Sequence, residues 1–284
     1  MDTESILTHT RKLLREHDLR ARKGLAQHFL IDAGVVTQIL AAADIAAADT
    51  VLEVGPGLGV LTRELVKVAG RVIAIELDGR LVQVLRKDLA TWQNLTVVEA
   101  DVLKTEPGSV LGGAPAYKLV ANLPYYITSA AIRHFLEASI KPSLMVVMVQ
   151  KEVAEQITAK PGRMSLLAVS VQLYGAPQIV AQVPARAFYP APDVDSAVLR
   201  IEVYPQAKVA ADHTTEFFDL VRAGFSANRK QLINSLSRGL GTTKDETLPL
   251  LEKAGIDPKR RAETLTIEEW GRLFDCYHST ERPA

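Results

Sequence analysis

Between residues 50 and 150, short apolar runs alternate with amphipathic stretches. Val51–Val54, Val72–Ile75, Leu95–Glu99, Leu119–Ala121 and Leu144–Val149 are rich in β-branched residues and predict buried strands. The segments at about 60–68, 78–91 and 128–138 repeat their apolar positions at helical spacing. Strands and helices in that alternation build parallel βαβ units with right-handed crossovers, so the predicted fold class is α/β. Ser165–Tyr174 is long enough for a helix, and Gln178–Pro184 and Ser196–Tyr204 alternate like an antiparallel pair closing one sheet edge. From Thr214 onward the pattern is helical throughout, in Thr214–Phe225, Lys230–Gly239, Thr247–Ala254 and Thr266–Tyr277. A shift in composition near Pro205 puts the expected boundary at about 205–213, between a sheet-containing domain (1–208) and an all-helical C-terminal domain (209–284).

Ahead of the first strand, residues 5–23 read as a helix with a basic end. Arg20, Arg22 and Lys23 there are candidate phosphate contacts, with a solvated helix face the equal alternative. Gly24–Asp32 has the composition of a lid, making 1–32 a basic helix and lid, and Ala33–Ala43 reads as the next helix. The 33 basic and 33 acidic residues balance, so any nucleic-acid-binding surface has to be local; Arg229-Lys230 and Lys259-Arg260-Arg261 are such clusters. Cys276 is the single cysteine, which excludes an intramolecular disulfide framework and a cysteine-rich zinc site; no metal is expected. The N-terminus lacks the features of a signal peptide, and no apolar run approaches the roughly 20 residues that span a bilayer. The expectation is a cytoplasmic protein with no membrane partner.

The stretch Val51-Leu-Glu-Val-Gly-Pro-Gly-Leu-Gly59 reads as strand, tight loop and helix start. Glycines there let backbone approach a ligand closely and take positive φ. Glu76, 21 residues past Gly55, ends the second strand, where doubly wound folds place an acid for ribose hydroxyls. The third glycine comes one position earlier than in the dinucleotide fingerprint, whose spacing seats a pyrophosphate on a helix N-terminus. This spacing resembles the class I S-adenosylmethionine-dependent methyltransferases, with a nicotinamide oxidoreductase as rival. Glu53, two positions before the loop, can hold a cationic group or orient the turn.

Asn122-Leu-Pro-Tyr125 follows the fourth predicted strand, so it should face the same crevice as Gly55 and Glu76. Its parts suit a planar amine: an amide oxygen on Asn122, the Leu123 carbonyl, a backbone fixed by Pro124, and the Tyr125 ring for stacking on a base. Two acceptors on the two hydrogens of an adenine N6 amine favour pyramidalisation and localise its lone pair, so catalysis rests on orientation. Asp101 ends the third strand and can accept from a cofactor amine or cap a helix. Phe188, in an aromatic and proline loop, can sandwich a flipped base with Tyr125 or pack in the core.

Taken in order, Gln27-His-Phe-Leu30, Glu53-Val-Gly-Pro-Gly-Leu-Gly59, Glu76, Asp101, Asn122-Leu-Pro-Tyr-Tyr126, Gln150-Lys-Glu-Val-Ala154, Phe188-Tyr-Pro-Ala-Pro192 with Val194 and Ser196, and Phe225-Ser-x-x-Arg-Lys230 resemble the ribosomal RNA adenine N6-dimethyltransferases, most nearly the bacterial KsgA/RsmA type, from about residue 20 to 275. The resemblance implies two methyls on each of two adjacent adenosines near the 3′ end of small-subunit RNA, added late in assembly by a monomer acting on a pre-assembled 30S particle. It also implies that His28, Leu30, Gly55, Glu76, Asp101 and Asn122 line an S-adenosylmethionine site. Asn122, Leu123, Pro124, Tyr125 and Phe188 then hold the target base, and the helical tail with Arg229 and Lys230 helps place the enzyme on the particle. His28 stands where this family often has Asn, and an imidazole cannot offer the same amide hydrogen bonds.

Overall fold

The structure, a computed structural model, describes residues 5–19, 27–207, 209 and 213–281. In chain order its elements are α1 (Ile6–Glu16), β1 (Phe29–Leu30), α2 (Ala33–Ala43), β2 (Thr50–Val54), α3 (Val60–Val68), β3 (Arg71–Glu76), α4 (Gly79–Asp88), β4 (Leu95–Glu99), α5 (Pro107–Val110), β5 (Lys118–Asn122), α6 (Thr128–Glu137), β6 (Leu144–Gln150) and α7 (Lys151–Ile157). They continue with α8 (Leu166–Gln172), β7 (Gly175–Val183), β8 (Phe188–Tyr189), β9 (Ser196–Val203), α9 (Thr214–Gly224), α10 (Leu232–Leu240), α11 (Lys244–Lys253) and α12 (Ile267–Glu281). The chain divides into two compact units. Residues up to Ala154 join Pro177–Val203 in one, and Glu155–Ala176 join everything from Tyr204 onward in the other.

In the first unit a seven-stranded sheet runs β4-β3-β2-β5-β6-β9-β7. The five strands from β4 to β6 are parallel, and β9 lies antiparallel to β6. Val51, Leu52, Val72, Ile73, Leu119, Val120 and Met145 are fully buried, as strands covered on both faces require. Strand order reverses at β2, which has β3 on one side and β5 on the other, so a crevice opens where their carboxyl ends diverge. Register aligns those ends: Val54 pairs with Ile75, Glu76 with Glu99 and Asn122 with Met148. A separate two-stranded sheet pairs Leu30 of β1 with Phe188 of β8, bringing the segment expected as a lid against the aromatic loop. The helix expected over 5–23 ends at Glu16. Arg20, Arg22 and Lys23 lie outside the described residues.

The second unit differs from the expected division, because Glu155–Ala176 packs with the C-terminal helices rather than with the sheet. Backbone N–H groups of Gly162 and Met164 donate to the Glu263 carbonyl at 2.7 and 3.1 Å, and Tyr204 N–H donates to the Tyr174 carbonyl. α8 buries Ala168, Val169 and Val171, apolar residues that suit either core, so local pattern alone does not assign it. α11 starts earlier than its apolar pattern suggests, at a capping box in which Thr243 and Glu246 satisfy each other's backbone N–H. No helix among the described residues is long and apolar enough to cross a membrane.

Candidate active site

After Val54 the chain turns sharply through Gly55, Gly57 and Gly59, with φ of 65°, 60° and 78°. The turn demands glycine on two counts. Each φ lies where a Cβ is strained, and a Cβ on Gly59 would stand 2.7 Å from Leu85 Cδ2. Glu76 is pinned beside this turn: its Oε2 accepts from Gly57 N–H at 3.1 Å, and its Oε1 from Leu77 and Asp78 N–H, both at 2.9 Å. Burial pushes the Glu76 carboxyl above its ordinary range, and those three donors oppose the shift. One lone pair on Oε2 is left for a further donor.

Glu53 lies deeper, 1% exposed, and its Oε2 has no hydrogen-bond partner among the described residues. Burial pushes its carboxyl up to about 8; the Thr62 hydroxyl works against the shift, and the Glu76 charge adds to it. At pH 7 the neutral acid is therefore the favoured form of Glu53.

Across the crevice, Asn122 ends β5. Its Nδ2 donates to the His28 carbonyl at 3.4 Å, which leaves Oδ1 without a protein partner among the described residues. Leu123 N–H donates to the Met148 carbonyl at 3.2 Å, yet the Leu123 carbonyl has no such partner. Pro124 leads into a single 3-10 turn, Tyr125–Ile127. The Tyr125 hydroxyl shares a 2.7 Å hydrogen bond with Ser196 Oγ, which fixes its ring, and burial raises its pKa against that bond.

These groups enclose one cavity of about 240 Å³, lined by His28, Leu30, Glu53, Gly55, Glu76, Asp101, Asn122, Leu123, Pro124, Tyr125 and Phe188 among others. Every residue expected to hold cofactor or target base is on its wall. Asp101 takes the capping role considered for it, with Oδ1 accepting from Leu103 N–H at 3.0 Å at a short 3-10 turn, and the residue also lines the cavity. Phe188 takes the core-packing place, one of the two considered for it. The ring stacked on Tyr125 is His28, with centroids 5.9 Å apart and planes 26° apart, while Phe188 is 3% exposed and belongs to the core cluster containing Leu30 and Val35. His28 Nδ1 also meets the Pro190 carbonyl at 2.8 Å, so its side chain belongs to the aromatic side of the cavity. The sequence reading also passed over Tyr126, a cavity-lining ring left 55% exposed.

A model of the family described as ribosomal RNA adenine dimethylase matches residues 18–279. The chain belongs to that family. A relative in Dehalococcoides mccartyi, named ribosomal RNA small subunit methyltransferase A, is 53% identical over 99% of this chain and 96% of its own length. Among solved structures, the 23S rRNA methyltransferase ErmE is 31% identical, with a TM-score of 0.70 over 87% of this chain and 98% of that one. A dimethyladenosine transferase from Plasmodium falciparum is 27% identical, with a TM-score of 0.76 over 89% of this chain and 98% of that one.

Basic residues flagged for RNA fall into three groups. Arg229 and Lys230 are exposed, just past a 3-10 turn at Phe225–Ala227, and neither side chain has an ion-pair partner among the described residues. Arg260, by contrast, is held inside its unit by Glu269, at 2.5 and 3.0 Å, and by Thr264. Its charge is therefore structural, and the apparent cluster at 259–261 shrinks to Lys259 and Arg261. Arg20, Arg22 and Lys23 remain as sequence expectations only.

Proposed function

We propose that this chain transfers methyl groups from S-adenosylmethionine to adenine N6 in small-subunit (16S) ribosomal RNA, two on each of two adjacent adenosines of the 3′-terminal hairpin. The observation that carries this reading is the pair of unsatisfied acceptors, Asn122 Oδ1 and the Leu123 carbonyl, adjacent in sequence at the rim of the cavity. Both residues line the cavity, neither acceptor is taken by a protein group among the described residues, and an amine with two hydrogens matches this pair.

Features of the opposite wall support the cofactor. The positive-φ glycine turn leaves room at the backbone, Glu76 Oε2 keeps a lone pair for a ribose hydroxyl, and Asp101 and His28 flank the same space. When bound, S-adenosylmethionine supplies an electrophilic methyl on a cationic sulfur. The chain's own residues then orient the nucleophile: Asn122 and Leu123 take the two amine hydrogens, and Tyr125, anchored by Ser196, offers a face to the base. No carboxylate need act as base, because the amine becomes acidic once methylated and releases its proton to water. Catalysis by placement of this kind fits a rim of neutral acceptors.

Choice of the small subunit is supported by the 53% identity to a protein named for it, against 31% to one named for 23S rRNA. Arg229 and Lys230, whose side chains have no ion-pair partner among the described residues, suit contact with phosphates of a pre-assembled 30S particle, on which the chain acts as a monomer in the cytoplasm. The deciding experiment offers labelled S-adenosylmethionine with unmethylated 30S particles and, separately, 50S particles, then maps the product. Label on paired adenosines of 16S RNA is expected. Label on 23S RNA would reassign the substrate, and particle binding without transfer would make the chain an assembly factor. Arg229→Ala with Lys230→Ala should flatten the salt dependence of particle binding by about one to two in slope.

A further inference from the structure

We propose that His213, Glu216 and His278 form a binding site for a divalent transition metal ion, Zn²⁺ foremost, in the helical C-terminal unit. His213 immediately precedes α9, Glu216 sits in the first turn of that helix, and His278 lies in the last turn of α12. Two imidazoles thus approach one carboxylate oxygen: Glu216 Oε2 is 3.0 Å from His278 Nδ1 and 3.7 Å from His213 Nδ1. One ligand atom from each residue lies within 4.8 Å of the other two.

Geometry and donor chemistry agree. Tetrahedral Zn²⁺ with bonds of about 2.0–2.2 Å has ligand-to-ligand edges of roughly 3.3–3.6 Å, and the two measured separations straddle that range. The third edge, between the two imidazoles, lies within 4.8 Å, and rotation of these partly exposed side chains can close the triangle. Two nitrogens and one oxygen make a borderline donor set, which suits zinc; calcium and magnesium prefer oxygen alone. Three protein ligands leave a fourth position for water.

The two rings are also held for the purpose. His278 stacks on Phe274 at 5.6 Å with planes 26° apart, and His213 leans on the same ring at 6.2 Å. Phe274 is itself 3% exposed and packed edge-on against Phe217, so a buried phenyl fixes both imidazoles from below. An ordinary surface ion pair requires one histidine beside Glu216. Here a second imidazole stands beside the first, with ring centroids 4.3 Å apart, so two ring nitrogens serve one carboxylate. An ion there would tie the start of α9 to the end of α12 and stabilise the folded unit by linkage.

The untagged full chain, stripped with EDTA, is titrated with ZnCl₂ by calorimetry and with Co²⁺ by visible absorption. One ion per chain, tetrahedral Co²⁺ bands and a Zn²⁺-dependent rise in Tm are expected. His278→Ala and His213→Ala each remove a direct ligand and should weaken binding by about 100-fold or more, beyond the 10–100-fold that loss of an outer-shell partner costs. Glu216→Gln keeps the side-chain shape and gives the same answer should either alanine variant fold poorly. Binding that is absent at millimolar Zn²⁺, or that is unchanged in Glu216→Gln and His278→Ala, would overturn the site. A Co²⁺–thiolate band lost in Cys276→Ser would overturn it too, by moving the ion to Cys276.

Discussion

The two walls of the cavity solve opposite problems. On the glycine-turn side most polar groups are held within the protein: three backbone N–H groups converge on Glu76, and the Asp101 carboxylate caps the turn that follows it, with the buried Glu53 Oε2 the exception. On the Asn122 side it has left acceptors open. A wall whose hydrogen bonds are mostly made is stiff before anything binds, and it recognises a ligand through shape and the one lone pair left over. A rim whose acceptors are not taken by the protein is free to receive a donor when one arrives, which is the behaviour wanted where bonding changes during reaction. On the proposed function, binding falls to β2 and β3 and chemistry to β5.

Asn122→Ala is the strongest way to break this contrast. Removing one oriented group in the reacting geometry should lower the rate of methyl transfer by about 10²–10³, while cofactor affinity stays within about tenfold. Single-turnover transfer and calorimetry measure the two separately. A variant that keeps its rate would show that the open rim does not act on the amine.

Glu76→Ala attacks the other wall and should reverse the pattern. Three donors lose their acceptor, and even with water entering the cavity the cost is about 2–3 kcal/mol of stability, read by denaturant unfolding. Cofactor affinity should fall along with it, since the turn that shapes the wall is no longer pinned. Unchanged stability with lost affinity would mean that Glu76 serves the ligand alone.

Much of this arrangement was legible beforehand, for reasons that vary from residue to residue. α2 and α3 fall where the apolar spacing predicts them, because each presents one apolar face to one core. Gly55, Glu76, Asp101 and Asn122 could be placed on one cavity because parallel strands end at one edge, so position after a strand translates into position in space. Contacts set by long-range pairing were not legible. The His28–Tyr125 stack depends on a two-residue strand, β1, meeting β8, and no local pattern announces either. Ser165–Tyr174 is equally apolar whichever core receives it, and the partnership of Arg260 with Glu269 is invisible in a run of three basic residues.

Glu53 tests how the glycine-turn wall tolerates a buried carboxyl oxygen with no hydrogen-bond partner among the described residues. Its carboxyl ionises near 4.5 in the unfolded chain and at about 8 in the fold, so between those values the unfolded state holds fewer protons and stability falls as pH rises. The expected loss is up to about 1.4 kcal/mol per pH unit, ending near pH 8, and below about 4.5 the group contributes no slope. Glu53→Gln cannot ionise, so its stability relative to the natural chain should improve steadily across that window. Parallel stability curves for the two proteins would mean that the buried carboxyl is already ionised.

Tyr125→Phe makes the finest cut, because it separates the ring from the hydroxyl on the open rim. The phenylalanine keeps the face offered to the base and loses only the 2.7 Å bond to Ser196, worth about 1 kcal/mol, so transfer should slow by less than tenfold. Ser196→Ala deletes the other end of that bond and should match it. Tyr125→Ala removes the face as well, and loss of base stacking adds about 1–3 kcal/mol. If phenylalanine and alanine were equally slow, the hydroxyl anchor would be the active part and the rim would work by holding Tyr125 in place rather than by stacking. If phenylalanine were fully active, His28 on the neighbouring face would suffice to position the ring, and the rim's dependence on β9 would disappear.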